Sequence, residues 1–126
     1  MDRPLGGCSI LVVEDEPLIA MDVVQGLEAA GAAVSVARTL KDALDKVEAP
    51  ELSAAVLDHR LRDGDSSQIC ERLDAKNIPF VIYSGYTKID GACSEGKLVH
   101  KPVAPEELVT TVVNLLTARS AIHPAT

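Results

Sequence analysis

Polar residues follow four short apolar runs of this 126-residue chain. Glu14 and Asp15 follow the first run, Asp58 follows a later one, and Ser84 and Lys101 follow the last two. Three carboxylates brought together repel one another, which raises their pKa values unless a cation compensates. An all-oxygen set suits octahedral Mg²⁺ better than zinc, and a lysine beside a hydroxyl suits the oxygens of a phosphoryl group. These residue types therefore indicate magnesium-dependent phosphoryl transfer to a carboxylate.

The elements that must position these residues are short strands and amphipathic helices. Runs of β-branched and small residues bounded by turn formers predict five strands. The runs cover residues 10–13, 33–37, 54–57, 79–83 and 98–100. Capping residues and helical spacing predict four helices in the gaps. The first starts at Pro17 and ends at Gly31, with Ile19, Val23 and Leu27 facing inward. The second starts at Thr39, which forms a capping box with Asp42, and the third starts at Ser66 or Ser67, with Ile69, Cys70 and Leu73 facing inward. The fourth runs from Ala104 to Thr117.

The alternation of strands and helices predicts a doubly wound sheet of five parallel strands in the order 2-1-3-4-5, with helices on both faces. Three glycines interrupt residues 85–96, so the helix after the fourth strand is predicted to be short or broken. Ligands bind such sheets at the carboxyl ends of the strands where the strand order reverses. Asp15 and Asp58 are therefore expected to meet between strands one and three.

Composition limits the classes of function. The length predicts one domain over residues 1–126, with its core in about 8–117 and a frayed tail at 120–126. A formal net charge of -7 disfavours direct binding to nucleic acid or anionic membranes. The odd number and wide spacing of Cys8, Cys70 and Cys93 give no support to a disulfide framework or a zinc site, which favours a reducing cytoplasm. No secretory or membrane-spanning segment is evident.

Across residues 8–117 the chain resembles the receiver domain of two-component response regulators. The matching segments are ILVVEDEP (10–17), AVLDHRLRDG (55–64), VIYSG (81–85) and VHKP (99–102). The resemblance implies a flavodoxin-like fold and Asp58 as the phosphoacceptor. The Mg²⁺ ligands that it implies are Glu14, Asp15, Asp58 and the backbone carbonyl of Arg60. It further implies that Ser84 and Lys101 contact the phosphoryl group and that a cis bond joins Lys101 to Pro102.

The sequence departs from the receiver pattern at three places. Leu98 stands where receivers usually carry the aromatic residue of their switch, three positions before the lysine. Leu61 and Arg62 replace the usual methionine-proline or leucine-proline. Gly85 and the glycine-interrupted segment after it resemble those of a subgroup of small receivers with a remodelled fourth helix. Members of that subgroup often work with HWE-type histidine kinases. We expect residues 84–96 to report phosphorylation instead, with Tyr86 as the moving ring.

These residues and the resemblance predict a signalling phosphoacceptor rather than an enzyme. Its predicted partners are a sensor histidine kinase and an unidentified downstream protein. The native-looking start and short tail favour a stand-alone receiver over a piece of a longer regulator. Two alternatives stay open. One is a binding module that is never phosphorylated, and the other is an aspartyl-phosphate phosphatase, since Asp63 and Asp65 resemble the Asp-x-Asp opening of such enzymes.

Overall fold

The fold was examined in a computed structural model of the chain. It describes residues 3–85 and 89–122, the last four of these by backbone alone. In chain order the strands are β1 (Ser9–Val13), β2 (Ala33–Ala37), β3 (Ala54–Asp58), β4 (Arg60–Leu61), β5 (Gly64–Asp65), β6 (Phe80–Ser84) and β7 (Lys97–His100). The helices are α1 (Pro17–Ala29), α2 (Leu40–Lys46), α3 (Ser67–Ala75) and α4 (Pro105–Ile122), with a 3₁₀ helix at Gly91–Glu95 before β7.

Five parallel strands form one sheet in the order β2-β1-β3-β6-β7, with helices on both faces. In chain order these strands are the first to the fifth of the predicted set, so the predicted order 2-1-3-4-5 is confirmed. Each predicted strand agrees with the observed one to within a residue at either end. The antiparallel pair β4–β5 was not predicted, and it folds the chain after Asp58 into a tight hairpin whose turn is Arg62 and Asp63.

The helix starts follow from local hydrogen bonds. Thr39 accepts the Asp42 N–H at 3.1 Å and so caps α2 as predicted. Gly31 follows α1 with a φ of 106°, a left-handed conformation that favours glycine, also as predicted. Ile19, however, is 41% exposed, because the buried stripe of α1 runs through Ala20, Val23 and Leu27 and leaves Ile19 at its border. The last helix reaches Ile122, five residues past the predicted end at Thr117.

The predicted short or broken fourth helix is the 3₁₀ helix, and a disulfide joins it to α3. Cys70 and Cys93 are 0% and 2% exposed, with Cα atoms 5.0 Å apart. The prediction that the cysteines form no disulfide is therefore wrong. A separation of 23 residues says nothing about distance once the fold packs α3 against the 3₁₀ helix. Cys8 stays a free thiol.

Two apolar clusters fill the two faces of the sheet. The first, under α1 and α4, includes Val12, Val23, Leu27, Leu108 and Val112. The second, under α2, α3 and the 3₁₀ helix, includes Leu11, Leu57, Ile69, Leu73 and Phe80. Because side chains alternate along each strand, residues at the carboxyl end of the sheet are directed to one face or the other. Within residues 3–85 and 89–122, no helix combines the length and hydrophobicity that a membrane crossing requires.

Candidate phosphoacceptor site

The three predicted carboxylates meet at the carboxyl ends of β1 and β3. One oxygen each from Glu14, Asp15 and Asp58 lies within 4.8 Å of the others. Glu14 is 0% and Asp58 4% exposed, and Asp15 is half-buried. β1 and β3 are direct neighbours, while the chain leaves them toward opposite sides of the sheet. The crevice predicted between strands one and three is thus the place where the acidic residues converge.

Lys101 reaches this cluster from the end of β7. Its Nζ donates a hydrogen bond to Asp58 Oδ1 at 2.9 Å. The backbone N–H of Lys101 donates to the Ser84 carbonyl at 2.8 Å, which fixes the start of the loop beside β6. The bond from Lys101 to Pro102 is cis, as the resemblance implied. The structure therefore places a positive charge directly on the predicted phosphoacceptor.

Tyr83 is a site residue that the sequence analysis missed. Its hydroxyl donates to Glu14 Oε1, and its ring lies 5.4 Å below Lys101 Nζ. Tyr83 pairs in register with Asp58 across β3 and β6, so it faces the same side of the sheet. The signal available in the sequence was the correctly predicted strand β6, in which Tyr83 directly precedes Ser84 at the carboxyl end. The ring thus lies among three of the predicted site residues.

The Glu14 carboxylate is held by two donors. Besides the Tyr83 hydroxyl, the Glu16 N–H donates to Oε2 at 2.9 Å, which also satisfies the start of α1. Burial raises the pKa of Glu14, and the hydrogen bonds from Tyr83 and Glu16 oppose that rise. Burial, with the neighbouring Glu14 charge, also raises the pKa of Tyr83, so its hydroxyl stays a donor. Glu14 is fixed in place by the fold before any metal binds.

Asp15 is engaged by the hairpin that follows β3. The Arg62 N–H donates to Asp15 Oδ2 at 2.8 Å, and the Arg62 Nε lies 3.8 Å from the same oxygen. Arg62 is a second residue that the sequence analysis missed as a contact, although its departure from the usual proline was noted. Arg60 donates its N–H to Asp58 Oδ1 at 3.3 Å. The metal-binding role of the Arg60 carbonyl stays a prediction.

Two of the predicted switch residues, Ser84 and Leu98, lie in the described part of the chain. Ser84 is 1% exposed at the end of β6, with its Oγ 3.4 Å from His59 Nδ1. Leu98 is half-buried in β7 and packs against the cluster under α3 and the 3₁₀ helix. Leu98 pairs with Ile82 and makes apolar contacts at the position where receivers usually carry an aromatic residue. Tyr86 lies outside the described residues.

The chemistry of the donor set fits Mg²⁺. All three side chains offer carboxylate oxygens, which hard divalent cations prefer. The Lys101 ammonium on Asp58 and the Arg62 guanidinium near Asp15 already supply positive charge at two of the three carboxylates. The carboxylates therefore attract positive charge, and a divalent ion would compete with these two cationic groups for them.

Comparisons with known proteins agree with this geometry. The sequence profile of the response regulator receiver domain matches residues 10–113. This is most of the chain, and the chain belongs to that family. The fold is also that of a CheY-like receiver domain protein from Methanospirillum hungatei JF-1, with a TM-score of 0.79 and 23% identity over 92% of this chain and 98% of that one.

Two further structures and one curated protein are informative. SdrG from Sphingomonas melonis Fr1 is 35% identical over 87% of this chain and 96% of its own, with a TM-score of 0.71. The response regulator PhyR from Brucella abortus is 26% identical over 96% of this chain and 55% of its own, with a TM-score of 0.73. The acid tolerance regulatory protein ActR from Rhizobium meliloti is 24% identical over 112 residues. The chain spans 58% of the length of that curated relative.

Proposed function

We propose that the chain is the phosphoacceptor of a two-component phosphorelay, in which Asp58 receives a phosphoryl group from a phosphohistidine of a sensor histidine kinase. The observation that carries the proposal is the position of Asp58. It ends β3 with Lys101 Nζ at 2.9 Å from its carboxylate and two further carboxylates within 4.8 Å. Membership of the receiver family supports the same assignment.

In the proposed transfer, an Asp58 oxygen attacks phosphorus, the P–N bond to the kinase imidazole breaks, and the imidazole nitrogen keeps the electron pair and takes up a proton. Mg²⁺ held by Asp15, Asp58 and the Arg60 carbonyl would supply positive charge to the phosphoryl oxygens. Lys101, now on Asp58, would follow the negative charge to a phosphoryl oxygen. The buried Ser84 hydroxyl would donate to another.

Glu14 has a different part in this proposal. Its carboxylate is fully buried and accepts from Tyr83 and Glu16. It would act by shaping the field around the metal and by orienting its water ligands, in the manner of groups behind the direct ligands of a metal. Asp15 and Asp58 would be the side chains that touch the ion.

The kinase is proposed to dock over α1, beside the site. Leu18, Ile19 and Met21 of this helix are 75%, 41% and 52% exposed. Next to them, a groove of about 540 Å³ runs between α1 and the start of α4, lined by Ile19, Val23, Pro102 and Pro105 among others, with Lys101 at its edge. Exposed apolar side chains beside an acceptor suit a partner that buries them while it delivers its histidine. An HWE-type kinase is the partner class that the remodelled segment after Ser84 favours.

The phosphatase alternative loses support because both of its candidate carboxylates cap helices. Asp63 accepts the Leu40 N–H at 3.0 Å at the start of α2, and Asp65 accepts the Ser67 N–H at 3.0 Å at the start of α3. Asp65 also has a lowered pKa, first because of its hydrogen bond with Ser67. These contacts give both residues a structural role in the hairpin.

Downstream signalling is proposed to occur through protein contacts. A net charge of -7 predicts that the chain does not bind duplex DNA at physiological salt. One structural neighbour, from Bartonella quintana, is described as the anti-anti-sigma factor PhyR. A protein-binding output is therefore proposed for this chain too.

The deciding experiment is phosphorylation by acetyl phosphate with Mg²⁺, followed by intact mass. Wild type should gain the mass of one phosphoryl group, Asp58→Asn should not, and the matched control Asp65→Asn should label like wild type. Equal labelling of Asp58→Asn would refute the assignment. Magnesium binding without any labelling, from acetyl phosphate or from phosphorylated kinases, would indicate the unphosphorylated binding module instead.

A second experiment tests the docking face. Leu18→Glu should slow transfer from a phosphorylated kinase but leave labelling by acetyl phosphate unchanged, because the small donor needs no docking surface. Ala75→Glu, at the exposed end of α3, places the same charge away from α1 and should affect neither reaction. Equal losses with both donors in Leu18→Glu would show that the substitution acts on the site or the fold.

A further inference from the structure

Arg62 is placed so that one residue contacts Asp15 twice. Its backbone N–H lies 2.8 Å from Asp15 Oδ2 and its Nε lies 3.8 Å from the same atom. The Arg62 side chain is 82% exposed, while that of Asp15 is 14% exposed. A solvent-exposed cation thus covers the outer side of a carboxylate that is itself mostly enclosed.

The hairpin turn holds this arrangement from two sides. Leu61 is 7% exposed and anchors the first strand of the hairpin in the core. Asp63, the neighbour of Arg62 in the turn, accepts the N–H of Leu40 at 3.0 Å, which ties the turn to the start of α2. The Arg62 N–H is therefore aimed at Asp15 by the fold and not by the flexible side chain.

The charges of the acidic cluster divide among separate partners. Asp58 takes the Lys101 ammonium, Glu14 takes the Tyr83 hydroxyl, and Asp15 takes the Arg62 N–H and guanidinium. A divalent ion that binds Asp15 through Oδ2 must share that oxygen with the Arg62 N–H or displace it, and an ion that binds through Oδ1 meets a carboxylate whose negative charge Arg62 already partly offsets. It must also approach a guanidinium of like charge, and that repulsion is costly at short range.

We infer that Arg62 is a positioning residue that competes with the divalent metal for Asp15 and so lowers the affinity of the resting protein for Mg²⁺. This inference rests on the metal-dependent function proposed above. Metal binding would loosen the Arg62 contact, and the turn would carry that change to Asp63 and the start of α2. The metal and the hairpin are thereby coupled through one hydrogen bond.

Magnesium titration calorimetry on the full chain tests the competition. Arg62→Ala removes the guanidinium and keeps the N–H, and it should tighten Mg²⁺ binding about threefold, the size typical of an exposed ion pair. Arg62→Pro removes both donors, and it should tighten binding about tenfold, since a hydrogen bond to a charged group is also lost. Arg38→Ala removes a positive charge from the same opening in the surface and serves as the matched control.

The Arg62 amide proton provides a readout that a purely structural role would not move. In wild type its NMR resonance should shift upfield as Mg²⁺ is added, because the hydrogen bond to Asp15 weakens. An unshifted amide would overturn the inference, as would equal affinity changes in Arg62→Ala and Arg38→Ala, or weaker binding in Arg62→Ala. Circular dichroism identifies an Arg62→Pro variant that fails to fold, in which case Arg62→Ala decides alone.

The titration separates this inference from the proposed function. Tighter Mg²⁺ binding in Arg62→Ala supports the competition even if Asp58 is never phosphorylated. Normal phosphorylation of Asp58 with unchanged Mg²⁺ affinity in both Arg62 variants refutes the competition alone.

Discussion

The two faces of the sheet are covered in different ways. One face carries α1 and α4, helices of 13 and 18 residues that pack on each other with Gly26 against Val109. The other carries α2 and α3, of 7 and 9 residues, and a 3₁₀ helix of five. Short helices are marginal by themselves and depend on tertiary packing. Long helices therefore cover the first face, while the short elements of the second face need bonds between them to hold their positions.

The cross-links on the second face are covalent and ionic. The Cys70–Cys93 disulfide joins α3 to the 3₁₀ helix. Arg72 and Lys76 of the α3 end both contact the Glu48 carboxylate after α2, and Lys76 Nζ also donates to the Val47 carbonyl at 3.1 Å. A face built of short elements can therefore bury its core residues completely when bonds join those elements directly. Both faces contain residues that are 0% exposed.

Loss of the disulfide is the largest effect that we predict. Its removal, by reduction or as Cys70→Ala with Cys93→Ala, should lower the free energy of unfolding by about 3 kcal/mol, given the 23-residue separation. Urea unfolding measures this, and Cys8→Ala, which leaves the disulfide intact, is the control. Amide exchange should accelerate in residues 89–96 and α3 and change little in α1 and α4. Uniform acceleration over both faces would show that the disulfide does not stabilise the face of short elements in particular.

Glycines at a close contact on each face give the next largest effect. A methyl group at Gly96 would lie 2.3 Å from a Phe80 ring carbon and 2.9 Å from the Phe80 carbonyl oxygen, so Gly96→Ala should cost about 2 kcal/mol. A methyl group at Gly26 would meet only Val109 Cγ2, at 2.7 Å, and alanine also favours the helix by about 1 kcal/mol. Gly26→Ala should therefore change stability by less than Gly96→Ala in thermal unfolding. The reverse order would show that the α1–α4 contact is the tighter one.

The sequence predicted the helix starts on both faces, and the errors differ between the two faces. Periodicity and capping residues predicted α1, α2, α3 and the start of α4, and the alternation of strands and helices predicted the strand order. Ile19 was placed inward because i, i+4 spacing locates a stripe only to within about one residue of its border. The disulfide was missed because it depends on how α3 and the 3₁₀ helix pack, which no local pattern encodes.

The site divides along similar lines. Asp15, Asp58, Ser84 and Lys101 were predicted to lie together because each follows a strand, and parallel strands bring their carboxyl ends to one edge. Tyr83 and Arg62 were missed because their contacts depend on register and on the shape of a hairpin. Alternation along β6 could have indicated Tyr83, since it pairs with Asp58. Nothing in the sequence alone indicated the β4–β5 hairpin that brings Arg62 to Asp15.

The third prediction concerns Tyr83, the buried polar residue on the face of long helices. Tyr83→Phe removes the hydroxyl donor of Glu14 and should cost about 1 to 2 kcal/mol of stability, the usual range for a buried group that loses its partner. Burial raises the pKa of Glu14 above its ordinary 4.5, and the Tyr83 hydrogen bond opposes this, so the variant should raise it further. A raised carboxyl pKa means stability that is highest below pH 4.5 and declines as pH rises through the folded pKa.

The loss in Tyr83→Phe should therefore be larger at neutral pH than below pH 4.5, because hydrogen bonds to an ionised carboxylate are the stronger ones. Urea unfolding across this range measures it. Glu14→Gln is the control, since Tyr83→Phe in that background should lose its pH dependence. A pH-independent loss would mean that the ring fit, and not the hydroxyl, sets the cost on this face.

The smallest effect belongs to the exposed ion pairs between α2 and α3. Hydrogen bonding from Arg72 is the main reason that the pKa of Glu48 lies below 4.5. A lowered carboxyl pKa gives stability that is present above pH 4.5 and is lost as pH falls through the folded pKa.

Glu48→Gln should thus lower the thermal midpoint slightly at neutral pH and leave it unchanged in acid, while Glu51→Gln, at an exposed position nearby, should shift it less. Because Glu48 is exposed, the difference should also shrink at high salt. A loss that does not change with salt would show that Glu48 stabilises the protein by something other than its ion pairs with Arg72 and Lys76.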